Sequence, residues 1–126
     1  MGAREYDPAL FEFAGRLFDL ARQGRTAELA AYVDEGVPVN LANDKGDSLL
    51  MLAAYHGHAE LVRALLARGA DANQANDGGQ TPLAGAVFKG DQAVVRALLA
   101  AGADPHAGSP SALDTARMFG SEDLLT

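Results

Sequence analysis

Apolar residues along this chain recur in short clusters at helical spacing, with polar residues between the clusters and glycines after them. The pattern is clearest in four residues spaced i, i+1, i+4, i+5: Val94, Val95, Leu98 and Leu99. This spacing places all four on one face of a helix. Gly102 follows, and glycine readily adopts the left-handed conformation that ends a helix. The pattern therefore predicts a short amphipathic helix that ends at Gly102.

A second short helix is predicted just before it. Thr81 is typical of the residue that caps a helix start, because its hydroxyl accepts a hydrogen bond from a free backbone N–H. Pro82 suits the first helical position, where its missing N–H costs nothing. Gly90 then ends the helix. Ser48 and Ser111 occupy the corresponding start positions elsewhere in the chain, so the same helix pair is expected more than once.

The chain repeats itself at an interval of 33 residues. Two glycine series share that interval: Gly24, Gly57 and Gly90, and Gly36, Gly69 and Gly102. The segments between the glycines agree, since 58–76 aligns with 91–107 and 44–54 with 77–87, while 25–43 is a more divergent copy. Such a period is typical of helix pairs that stack into a solenoid.

The segments "LLARGADANQAN" and "GQTPLAGAV" resemble the ankyrin repeat, and the resemblance extends over residues 17–126. It implies an all-α solenoid of stacked helix-turn-helix units with short β-hairpins or turns between them, about four units in all. The family's histidine after Thr-Pro-Leu is replaced by Met51, Ala84 and Asp114. We therefore expect the hydrogen bonds of that imidazole to be absent.

We predict a single domain over residues 1–126. It would contain an N-terminal capping unit (7–43), two repeats (44–76 and 77–107) and a partial C-terminal repeat (108–126). The last unit is three residues short near "HAGSPS", so its hairpin should be shorter, with Ser-Pro-Ser at the turn. The sequence stops about one turn into what would be the second helix of that unit, either because the protein ends there or because the sequence is a trimmed piece.

The capping unit should begin with a helix from Asp7, as the N-cap, to about Gln23. Four of its apolar residues are expected to face inward: Leu10, Phe13, Leu17 and Leu20. Phe11 and Phe18 form a second apolar line, which we expect to pack within the cap. The alternative is that this pair forms an exposed docking patch.

Composition excludes several classes of function. The net charge of −7 disfavours binding to nucleic acid, which needs clustered Lys and Arg. No segment resembles a secretory signal or a membrane span, so we expect a cytoplasmic protein without a membrane partner. The absence of cysteine removes thiol chemistry and disulfides.

Two of the three histidines lie in "YHGH", where His56 and His58 could suggest a metal site. Their i, i+2 spacing does not match the helical i, i+4 zinc pair, and His106 lies in a different hairpin. In the ankyrin resemblance, the residue at His58 helps to cap the second helix, and Asp91 takes the same place one unit later. No serine has a matching His and Asp, so we expect neither catalysis nor a metal or other cofactor.

The resemblance implies that a partner binds the concave side, formed by hairpin tips and the exposed edges of the first helices. Two residues before the interhelical glycine stand Arg22, Tyr55, Phe88 and Met118. One residue before it stand Gln23, His56, Lys89 and Phe119. The hairpin tips add Asp44, Lys45, Asp47, Asp77 and Gln80. Arg, Met and aromatic residues are typical of binding surfaces, and Tyr55 and Phe88 are the expected central anchors. The alternative is that Phe88 and Met118 turn inward and fill gaps between units.

These observations favour a non-catalytic module that binds another protein. The chain also resembles short bacterial ankyrin proteins, which implies a role as an accessory or immunity partner of an enzyme or toxin. Two alternatives stay open: a regulator that responds to a small molecule or metal through His56, and a scaffold that pairs with itself. A monomer is expected, with a homodimer through the open last unit as the alternative.

Overall fold

The computed structural model describes residues 7–126. It contains seven α-helices over this range: α1 (Pro8–Gln23), α2 (Thr26–Asp34), α3 (Leu49–Tyr55), α4 (Ala59–Ala67), α5 (Pro82–Lys89), α6 (Gln92–Ala100) and α7 (Ala112–Phe119). A 3-10 helix, Glu122–Leu125, follows. The all-α architecture predicted from the repeat is confirmed.

The helix starts follow the predicted capping pattern. An oxygen of Asp7 accepts a hydrogen bond from the Ala9 N–H at 2.9 Å. The hydroxyl oxygens of Ser48, Thr81 and Ser111 each accept one from the N–H three residues later. Gly90 takes the left-handed conformation (φ 69°) directly after α5. Local sequence therefore sets where these helices begin and where α5 ends.

The helices form two rows. Helices α1, α3, α5 and α7 contact one another in sequence, and we call them the first-helix row. Helices α2, α4 and α6 and the 3-10 helix form the second-helix row, and each packs against its partner in the first. This arrangement is the stacked helix-turn-helix solenoid expected from the period.

The core lies between the two rows. Val94, Val95 and Leu98 are buried there and Leu99 is half-buried, as their spacing predicted. Each unit contributes a similar apolar set, so successive units bury one another's faces. Stability in such a stack comes from these interfaces between neighbours.

The connections between units are turns with isolated β-bridges, and no extended strand occurs in residues 7–126. Side-chain amides link consecutive connections. The Asn40 Oδ1 accepts a hydrogen bond from the Asp71 N–H, and Asn73 Oδ1 accepts one from the Asp104 N–H, both at 2.8 Å. The same bond thus recurs one unit later.

The capping helix α1 differs from expectation at its start. Leu17 and Phe18 are buried, but Leu10 is 62% exposed and Phe11 is 61% exposed. The prediction that Leu10 faces inward is wrong, and of the Phe11 and Phe18 pair only Phe18 is buried. The reason is length: α1 has 16 residues and its neighbour α3 has 7, so the first turns of α1 extend past the helix they would pack on.

In the last unit the hairpin turns at Ser109 and Pro110, bracketed by the Gly108–Ser111 bridge. The Ser109 N–H donates to the Gly79 carbonyl at 2.9 Å. Leu124 and Leu125 of the 3-10 helix pack, half-buried, against the core. Across the part of the chain described, no helix is long and apolar enough to cross a bilayer.

Candidate protein-binding site

Large apolar side chains are exposed at the ends of three consecutive first-row helices. Tyr55 ends α3, Phe88 lies near the end of α5, and Met118 and Phe119 end α7. Phe88 is 55% exposed, Met118 72% and Phe119 57%. Phe88 and Met118 therefore do not fold inward to fill gaps between units.

These side chains surround an open cleft of about 320 Å³. Its walls include Tyr55, Gly85, Phe88, Thr115, Met118 and Phe119. The Phe88 and Phe119 rings meet edge to face, with centroids 5.6 Å apart. We call this feature the Gly85 cleft, because that glycine lies at its floor.

Gly85 contributes to the cleft, because a glycine places no side chain on its wall. The aligned position carries Leu52 in the preceding unit and Thr115 in the following one. Leu52 is only 7% exposed and lines a smaller pocket of about 120 Å³. A Cβ on Gly85 would lie 3.2 Å from Met51 Cε and 3.6 Å from Tyr55 Cδ1. Our sequence analysis missed Gly85, although a glycine in an otherwise apolar helix was a usable signal.

A positive edge borders the cleft. The Lys89 ammonium lies 4.7 Å from the centroid of the Tyr55 ring, close enough for a cation–π contact. The pKa of His56 is lowered from its ordinary value, mainly by partial burial and then by repulsion from His58, Lys89 and Arg22. Lys89 and Arg22 therefore lie close enough to His56 to disfavour its protonation.

Arg22 and Gln23 lie at the end of α1 and do not line the cleft. Arg22 Nη1 forms an ion pair with Asp19 Oδ1 at 2.9 Å, and both side chains are exposed. The structure therefore places these two predicted contact residues on the same helix row as Tyr55 and Phe88, but outside the apolar cluster.

His58 does not cap its own helix, so that expectation is wrong. Its Nε2–H donates to the Arg22 carbonyl at 2.6 Å, across the junction with the preceding unit. Asp91, at the aligned position, does cap its helix, because its Oδ1 accepts from the Val94 N–H at 3.1 Å. The rings of His56 and His58 lie 6.5 Å apart and roughly parallel. His56 thus lies directly after α3, and His58 links the start of α4 to the preceding unit.

The hairpin tips carry the polar residues predicted for the rim. Four of them are exposed: Asp44, Lys45, Asp77 and Gln80. Asp47 and Gln80 are held by Asn76, whose Nδ2 donates to Asp47 Oδ1 at 2.9 Å and to Gln80 Oε1 at 3.0 Å. Gln80 also reaches the cleft. Sequence reasoning did not find the organising role of Asn76.

Metal ligation has little geometric basis in residues 7–126, where no three His, Asp or Glu side chains are grouped closely enough to hold an ion. His106 lies in the third hairpin, where its N–H donates to Asp104 Oδ1 at 2.9 Å.

A family model for ankyrin repeats (three copies) matches residues 17–109. The chain belongs to the ankyrin-repeat family. A Pseudomonas aeruginosa protein named for ankyrin repeats is 58% identical over 59 residues, which are 47% of this chain and 34% of that protein. The match thus spans about a third of the length of this relative. Ankyrin repeats are generally protein–protein interaction modules.

Within this ankyrin stack, the predicted contact residues fall into three groups. Tyr55, Phe88, Met118 and Phe119 meet at the cleft; His56, Lys89, Arg22 and Gln23 lie along the first-row ends; Asp44, Lys45, Asp47, Asp77 and Gln80 lie at the tips. All three groups belong to the first-row helices or the hairpins that precede them. No predicted contact residue lies in the second-helix row.

Proposed function

We propose that this ankyrin-repeat chain binds another protein through its first-row helix ends and hairpin tips. The observation that carries the proposal is the apolar cluster of Tyr55, Phe88, Met118 and Phe119, exposed around one cleft. Neighbouring exposed apolar side chains are costly to leave in water and mark interaction sites. Aromatic and Met side chains also supply the large contact areas found at interfaces.

The polar tips would form the rim of this interface. Charges at a rim mainly change the association rate and the choice of partner. The same proposal has three finer parts. The protein is non-catalytic, it is cytoplasmic, and it acts as an accessory or immunity partner of an enzyme or toxin. The ankyrin family's general use and the absence of a recognisable catalytic set in the sequence support the non-catalytic role. The accessory or immunity role rests on the resemblance to short bacterial ankyrin proteins.

Affinity capture with a double variant, Tyr55→Ala with Phe88→Ala, tests the proposal. The immobilised protein would be exposed to lysate of its source cells, and captured proteins quantified by mass spectrometry. We expect the proteins specifically captured by the wild type to be reduced at least about tenfold, since interface aromatics often contribute 2 kcal/mol or more. Circular dichroism would verify that the variant is folded.

A matched control removes two aromatic side chains away from the cleft: Phe11→Ala with Tyr32→Ala. Tyr32 is 36% exposed, as is Tyr55. We expect this control to capture the same proteins as the wild type. Equal capture by the cleft variant and the wild type would contradict the proposal.

A further inference from the structure

The size and lining of the Gly85 cleft limit what could enter it. At about 320 Å³ it lies at the lower end of the roughly 300–1,000 Å³ typical of ligand pockets. Its rim is formed by Tyr55, Phe88, Met118 and Phe119, all of which present apolar or aromatic surface. One bulky apolar side chain from a peptide segment fits this description, whereas a flat protein surface would leave the cleft unfilled.

The charge beside the cleft limits the occupant further. Within residues 7–126 no carboxylate lies at ion-pair distance from Lys89, whose ammonium rests on the Tyr55 ring. The carboxylate of Asp47, which lines a small pocket together with Tyr55, accepts a hydrogen bond from Asn76. Lys89 is thus a cationic group beside an apolar opening, with no ion-pair partner in residues 7–126.

We propose that the Gly85 cleft binds a peptide segment of a partner protein in which a bulky apolar side chain is flanked by Asp or Glu. The apolar side chain enters the cleft over Gly85, and the acidic side chain pairs with Lys89. This inference rests on the proposed protein-binding function and adds the chemistry of the partner.

A phage-displayed library of short random peptides, selected on the immobilised full chain, is the probe. We expect selected peptides to share Phe, Leu, Ile, Met or Trp next to Asp or Glu. Affinities of synthetic copies would then be measured by fluorescence polarisation. A selection that yields no binders, or binders without acidic residues, would overturn the proposal.

Two variants separate the apolar and the charged contributions. Gly85→Leu adds at the cleft wall the residue that the repeat 44–76 carries at the aligned position, and its side chain would displace Met51 and Tyr55, so we expect binding to weaken by about tenfold or more. Lys89→Glu should weaken binding by roughly fivefold, since the pair is exposed and screened. The control is Arg96→Glu, which makes the same charge change at an exposed position of α6 in the second-helix row. It should leave the affinity within about twofold of wild type.

Charge exchange distinguishes a direct contact from a structural effect. Replacing the acidic residue of a selected peptide with Lys should weaken its binding to wild type and restore part of its binding to Lys89→Glu. Absence of this rescue would contradict the pairing with Lys89. Because Lys89 is exposed, this arm does not depend on whether Gly85→Leu folds.

The outcomes also separate this inference from the proposed function. If the double variant of Tyr55 and Phe88 loses peptide binding while Gly85→Leu and Lys89→Glu retain it, the binding face stands and the cleft chemistry is wrong. If a second copy of the chain is the occupant, light scattering will show a concentration-dependent dimer that Gly85→Leu abolishes, which would also overturn the proposal.

Discussion

The second and third units of this protein share one backbone plan but use their variable positions differently. At one aligned position the second unit (44–76) carries Leu52, which lines a small pocket, and the third (77–107) carries Gly85, which lines the larger cleft. The helices that carry these residues, α3 and α5, begin with the same type of hydroxyl cap, from Ser48 and Thr81. The pocket beside Leu52 is about 120 Å³ and the Gly85 cleft is about 320 Å³, so the aligned positions line openings of different size.

The same two units also differ in how they hold the unit before them. In the second unit, His58 donates to the Arg22 carbonyl, and Arg68 forms an ion pair with Asp34 at 2.8 Å. The aligned residues of the third unit are Asp91, which caps its own helix, and Ala101, which has no charge. The side chain at a variable position of an ankyrin unit can thus stabilise either the contact with the neighbouring unit or a helix of its own unit.

Placing alanine at both positions of the Leu52 and Gly85 pair would remove the largest difference between the units. Leu52→Ala deletes a nearly buried side chain, so we expect the free energy of unfolding to fall by about 2–3 kcal/mol. Gly85→Ala replaces a poor helix former and meets only the flexible end of Met51, so we expect a rise of up to about 1 kcal/mol. Urea denaturation followed by circular dichroism measures both. A clear loss of stability in Gly85→Ala would mean that the floor of the cleft is already closely packed.

Removing the His58 or the Asp91 side chain should lower stability by similar amounts but should destabilise different helices. His58→Ala removes one hydrogen bond between units and Asp91→Ala removes one helix cap, each worth about 1 kcal/mol. Amide hydrogen exchange should then increase in α1 for the His58 variant and in α6 for the Asp91 variant. Increased exchange in the same helix for both variants would remove this distinction between the two units.

The smallest expected effect is a dependence of stability on pH. It arises from His56 in the second unit, whose protonation is disfavoured in part by Lys89 in the third. Because the folded-state pKa of His56 is lowered from 6.5, the unfolded chain binds its proton more readily as pH falls. Stability is therefore unaffected well above pH 6.5, decreases as pH falls through that value, and is fully reduced below the lowered pKa. Thermal unfolding between about pH 8 and 5 should show a shallower decline for His56→Asn. His106→Asn is the control for loss of one histidine, and an equal change in both variants would contradict the assignment.

Much of the fold could be predicted from sequence because its signals are local. Thr81, Pro82 and Gly90 mark the ends of α5 through contacts made within a few residues. The repeat then assigned equivalent ends to the other first-row helices, and the edge column containing Tyr55 and Phe88 followed from that alignment.

Features that depend on a neighbouring helix were harder to predict. Leu10 has the right helical phase to face inward, but phase does not reveal that α3 is too short to cover it. The Gly85 cleft likewise depends on what three consecutive helices leave uncovered. The reach of His58 to Arg22 joins residues 36 positions apart, and no local pattern specifies it.

The hydrogen bonds accepted by the side-chain amides of Asn40 and Asn73 affect how the binding surface can change in sequence. Each holds the backbone of the next connection and neither uses the side chains at the tips, Asp44, Lys45 and Asp77. These two bonds thus maintain the spacing of the tips without the side chains of Asp44, Lys45 and Asp77, whereas Asp47 and Gln80 are themselves bound by Asn76. Asp44, Lys45 and Asp77 can therefore be substituted singly while the distances between consecutive tips stay constant. A new partner then requires new side chains and no new backbone.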